Sequence, residues 1–178
     1  MIRAILALFG LLAAAAAGAD SLTFKGLGLG AAISAVAGDP RYNCQAAKAP
    51  GADRICSLRP QEQETVAGAP VNAIFWFFYR GHLTSLTVHF DAQHFNQVTQ
   101  ALASKYGAAE ISRETVRNLK GASFDNQVHT WRQGSASLVA RRFTSRVDKS
   151  SLRLADADRI REIDLRREQS RAAPETDL

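Results

Sequence analysis

Residues 75–90, FWFFYRGHLTSLTVHF, set two hydrophobic patterns side by side. From Phe75 to Tyr79 every residue is aromatic, so a strand there carries rings on both faces, because successive side chains point to opposite sides of a sheet. From Leu83 to Phe90 apolar and polar residues alternate, as in a strand buried on one face only. The break near Arg80-Gly81-His82 makes the two runs a hairpin over residues 73–90. A two-residue turn at Gly81-His82 would set Phe77 against Leu86 and Phe75 against Val88, leaving Trp76 opposite Thr87 and Phe78 opposite Ser85; a three-residue turn would set Phe77 against Ser85. In either register one aromatic row meets hydroxyls, and that row needs a cover or a partner.

The period then changes. Phe95, Val98, Leu102 and Tyr106 recur every three or four residues, which predicts a one-sided helix with Asp91 as N-cap and Gly107 just past its end. Further strands are expected over 111–116, 127–132, 137–143 and 151–154, with turns at Gly121 and Gly134. Upstream, residues 22–29 read as a short strand running into a glycine-rich turn, 31–37 as a brief helix, and 64–71 as a strand broken at Gly68 and Pro70. Residues 38–54 hold two prolines and two glycines with almost no periodicity and read as a long loop. The expected class is α+β: an antiparallel sheet with helices packed on one face, built from two helix-then-strands halves, 24–91 and 92–155.

Before the domain, residues 1–19 fit a secretory signal: Arg3, an apolar run over 4–16, and Ala17-Gly18-Ala19 as the cleavage site. Export to the periplasm or beyond changes the reading of Cys44 and Cys56, the only two cysteines. In an oxidising compartment they are expected to form a disulfide that staples the 38–54 segment. The first cysteine lies far from the cleavage point, so no lipid anchor is expected, and no second long apolar run predicts a membrane span.

The formal charge of +5 is uneven. Residues 20–110 hold seven basic and seven acidic side chains, and 111–178 fourteen and ten. The densest basic stretch runs from Arg132 to Arg153, with Arg132, Arg141, Arg142, Arg146, Lys149 and Arg153 against Asp148 alone. Within it, Arg132, Arg141, Arg142 and Arg146 are a candidate surface for anionic glycan or lipid head groups. Nucleic acid is not expected of an exported chain without a binding motif. Residues 156–178 read as a charged, solvent-facing helical or disordered tail, with a thin apolar edge at Ile160 and Ile163.

Catalytic signatures are missing. The run Gly26-Leu27-Gly28-Leu29-Gly30 has neither dinucleotide-fingerprint nor phosphate-loop spacing. His82, His89, His94 and His129 have no metal-ligand spacing, and no serine sits in a nucleophile elbow. The expectation is a protein that is not an enzyme and carries no cofactor or metal.

The repeated helix-then-hairpin order, with FKGLGLGAAISAV at the start and ALASKYG in the middle, resembles a group of small exported bacterial α+β proteins. It includes the outer-membrane assembly lipoproteins and the tandem-repeat inhibitors that clamp β-lactamases with an aromatic sheet. The resemblance implies a periplasmic protein-binding module of inhibitor, immunity or envelope-assembly type, whose partner is another envelope protein. The strand pattern itself makes Ile74, Trp76 and Phe78, rimmed by Ser85, Thr87 and His89, the expected contact residues, and the resemblance matches the inhibitors' aromatics to Trp76 and Phe78, with Trp131.

Overall fold

The computed structural model describes residues 21–117, 121–144 and 146–172. The expected signal segment and the last six residues of the tail lie outside them. A small hairpin of β1 (Thr23–Phe24) and β2 (Leu27–Gly28) leads into the four-residue helix α1 (Ser34–Ala37). The strands β3 (Tyr42–Ala49), β4 (Ala52–Leu58), β5 (Thr65–Val66), β6 (Ala69–Tyr79) and β7 (His82–Asp91) follow, then a 3-10 turn and helix α2 (Phe95–Tyr106). The chain continues through β8 (Glu110–Arg117), β9 (Ser123–Gln133), β10 (Ala136–Arg141) and β11 (Lys149–Asp156) to helix α3 (Ala157–Ala172). The fold is the expected α+β class.

Eight strands form one antiparallel sheet in the order β3-β4-β6-β7-β11-β10-β9-β8, and short β5 adds to β6. Each half thus lays its strands down from an edge towards the centre, and the halves join where β7 pairs with β11. One helix precedes the four long strands of each half, the order the sequence suggests.

Two expectations are corrected. The unpatterned stretch 38–54 is not a loop: most of it is the β3/β4 hairpin, with Cys44 directly opposite Cys56 and the two joined by a disulfide. This hairpin forms the sheet edge, so its small residues need no apolar alternation to be held. Asp91 does not cap α2. It precedes the 3-10 turn without a side-chain cap bond, and its carboxylate instead takes a 2.5 Å hydrogen bond from Lys149 Nζ.

The central hairpin turns at Arg80-Gly81, with φ of +48° and +79°. Both central residues are left-handed, as in the type I′ turn whose twist suits a two-residue hairpin, and glycine takes the second position at no steric cost. The ladder then slips: Phe78 faces Leu83, but Phe77 faces Ser85, so Thr84 is the extra residue of a bulge. Its hydroxyl donates to Phe77 O at 3.0 Å and Gly51 O at 2.9 Å. The slip puts Leu83 on the same face as Leu86, Val88 and Phe90, all of them buried.

That face is the core. One row of cross-strand neighbours runs Cys44, Cys56, Trp76, Leu86, Leu154, Leu138 and Trp131 through seven strands. Over it pack Leu22, Phe24 and Val36 from the N-terminal segment and Phe95 and Val98 from α2. The Tyr106 hydroxyl ties the helix to β1, donating to Thr23 O at 2.8 Å and accepting from Thr23 N at 3.2 Å.

Candidate functional site

The opposite face carries the half-exposed aromatics. Since side chains alternate, sending Ile74, Trp76 and Phe78 into the core leaves Phe75, Phe77 and Tyr79 on the outer face, all half-buried. The central outer row is Asn43, Ser57, Phe75, Thr87, Arg153, Val139, Thr130 and Glu110, one residue from each of the eight strands. One step towards the β6/β7 turn lie Ile55, Phe77, Ser85 and Ala155. One step the other way lie Ala73, His89, Ser151 and Arg141. The His89 ring stands edge-on to Phe75 at 6.0 Å, and burial holds its pKa below the ordinary 6.5.

The expected contact residues therefore divide. Ile74, Trp76 and Phe78 are 0%, 2% and 0% exposed and cannot meet a partner. Trp76 packs against Phe24 and Tyr42, with ring centroids at 5.8 and 6.2 Å. Trp131 is buried too, its indole N–H donating to Gly107 O at 2.9 Å. Ser85, Thr87 and His89 do stand beside an aromatic row, but it is the row of Phe77 and Phe75. Gly81 signals the turn, since glycine suits the second position of a type I′ turn, but the turn alone would set Phe77 against Thr84; the extra residue Thr84 shifts the ladder to the observed register.

One end of the outer face is closed. The β3/β4 tip reaches Thr84 through Gly51 O, and α3 docks on that tip. Asp164 Oδ1 accepts from Gly51 N at 2.8 Å, and Arg167 Nη1 donates to Ala49 O and Ala52 O at 3.1 and 3.0 Å. Ile163 is buried. Ser85 and Ala155, on the outer face by register, are buried at this end. Residues 157–172 are thus a docked helix rather than a free tail, held by the apolar edge of Ile160 and Ile163. Between α3 and the β6/β7 turn runs an open groove lined by residues including Tyr79, Arg80, His82, Arg159, Glu162 and Arg166.

The basic residues are mostly occupied. Arg132 pairs with Glu110, Arg141 with Glu114 at 2.6 Å and Arg146 with Asp148 at 2.9 Å. The Arg142 guanidinium lies over the Phe143 ring at 4.9 Å. Glu114 also accepts from Asn126 Nδ2 at 3.0 Å. Asn126 is itself buried and clamps Phe143 by both its backbone N–H and C=O, which pins the β10/β11 connection to the sheet. Asn126 does not stand out in the sequence; Arg153 belongs to the basic stretch 132–153, but only register gives it its central place.

Among the described residues no three His, Cys, Asp or Glu side chains gather to hold a metal, and no helix is long and apolar enough to cross a membrane. Comparison with protein-family models, with curated proteins and with solved structures finds no match.

Proposed function

We propose that this is an exported, non-catalytic binding module that engages another envelope protein through the open part of its outer sheet face. The observation that carries the reading is the half-exposed row Phe75, Phe77 and Tyr79 on a sheet whose core is already complete on its other side. Large rings left partly in water gain free energy when a partner covers them, at roughly 25 cal/mol per Å². Their neighbours Thr87, His89, Ser151 and Arg141 supply the polar rim of a protein interface. The disulfide supports an oxidising compartment, and with the signal-like residues 1–19 it favours the periplasm. The element order resembling the sheet-clamping inhibitors agrees with a binding rather than a catalytic role.

Anionic glycan or lipid head-group binding through Arg132, Arg141, Arg142 and Arg146 has less to draw on, because three of the four already hold carboxylates.

A photo-reactive benzoylphenylalanine at position 75, introduced in cells that export the protein, tests the reading. It should give one discrete protein adduct that Phe77→Asp abolishes, whereas the same probe at position 111 on the β8 edge should give none. Equal adducts from both positions, or none from position 75, would exclude the outer face as the binding surface.

A further inference from the structure

We propose that Arg153 sets the specificity of this face, and that the partner segment presents an Asp or Glu carboxylate flanked by apolar side chains. This rests on the outer-face reading. The outer faces of β9, β10 and β11 carry four cations, Arg132, Arg141, Lys149 and Arg153, as their registers require. Three are neutralised by carboxylates of the same face: Arg132 by Glu110, Arg141 by Glu114 and Lys149 by Asp91. Arg153 is exposed, and among the described residues no carboxylate stands within ion-pair reach of it. It is the one uncompensated charge of these three strands' outer face, and it stands near its centre.

Its surroundings decide what it can recognise. Thr87 and Val139 flank it directly, with Phe75 and Thr130 one strand further out. A guanidinium offers five N–H donors in a fork that fits a carboxylate with two parallel bonds. A segment docking over Phe75 and Val139 excludes water from that fork, and the attraction strengthens as the local dielectric falls. A charge left unpaired there would instead be desolvated without return, so the site rejects apolar segments that lack an acid.

The probe is a random peptide library displayed on phage and panned against the purified, oxidised protein. Selected peptides should share an Asp or Glu between aromatic or aliphatic residues and should lose binding to Phe75→Asp. Made as synthetic peptides, they should bind Arg153→Gln at least about thirtyfold more weakly, the lower end of the range for truncating one side of a desolvated charge pair. Arg153→Lys should recover part of the loss, and Arg141→Gln, whose guanidinium serves Glu114, should change affinity less than about threefold. Arg153→Glu should prefer peptides in which the acid is replaced by lysine. Peptides that need Phe75 but show no acid enrichment, or bind Arg153→Gln equally well, would overturn the role of Arg153 and leave the face standing. Peptides indifferent to Phe75→Asp, or no selected peptide at all, would overturn both. Arg153-dependent binding to vesicles with 30% phosphatidylglycerol, without acid-bearing peptides, would assign the residue to lipid head groups and overturn the proposal.

Discussion

Adjacent residues of β6 should differ sharply in what they contribute to stability, and Trp76→Ala set against Phe75→Ala measures the difference. Trp76 is 2% exposed and packs edge-on to Tyr42 and tilted on Phe24, with Leu86 and Cys56 on either side. Truncating a buried ring loses its transfer free energy and leaves a cavity that rigid neighbours only partly refill, about 3–5 kcal/mol in all. Phe75 is only half-buried. Full burial of a phenylalanine gives about 1.5–3 kcal/mol, so half of it gives about 1 kcal/mol, and no closed cavity forms because water enters the space. The two variants should therefore differ by at least about 2 kcal/mol. Urea unfolding followed by circular dichroism reads this as a shift of midpoint at constant slope, provided each variant unfolds in a single transition. Since domains of this size are stable by about 5–15 kcal/mol, Trp76→Leu serves if the alanine variant does not fold. Equal losses from Phe75→Ala and Trp76→Ala would mean that the outer row is packed against something as dense as the core, and the assignment of faces would fail.

Reduction, or Cys44→Ser with Cys56→Ser, should lower stability by about 3 kcal/mol, the chain-entropy value for so short a loop, with peeling of the β3/β4 edge visible as faster amide exchange there. Gly51→Ala places a Cβ 2.7 Å from Ile160 Cγ1 at a φ of +63°; a strain of about 1–3 kcal/mol should undock α3, read as faster tryptic cleavage in residues 157–171 while the sheet remains resistant. Cleavage spread evenly over the chain would contradict a separately docked helix. Burial holds His89 and His129 below 6.5, so as pH falls past about 6.5 the unfolded chain takes up protons before the native one and stability declines. Melting temperature should be flat between about pH 7 and 8 and fall towards pH 5, with His129→Phe plus His89→Gln flattening that slope; a rise on acidification would refute the sign. Asp91, held below 3.8 first by its hydrogen bond from Lys149, contributes only above the carboxylate range, and its contribution is lost at lower pH.

The local patterns carried the element list. The strict spacing of Phe95, Val98, Leu102 and Tyr106 gave α2, and the strands expected over 111–116, 127–132, 137–143 and 151–154 lie in β8 to β11 with their ends adjusted. Patterns of this kind are read within a dozen residues, where one buried face forces one period. The β3/β4 hairpin escaped because edge strand β3 buries little beyond Tyr42 and otherwise runs through alanine, lysine and glutamine without apolar alternation, and its pairing comes from the neighbouring strand and the disulfide.

What the sequence determined by itself was that one strand would carry rings on both sides and that its partner would have one greasy face. Which row went inside was left to tertiary structure. A strand aromatic on both faces fits the core equally well in either of two registers, and a slip of one residue exchanges them. The left-handed turn at Arg80-Gly81, the bulge at Thr84 and the shared inner face of Leu83 and Leu86 made that choice. They buried Trp76 and left Phe75 at the surface, within the same row as Arg153, a residue nearly eighty positions away in the chain.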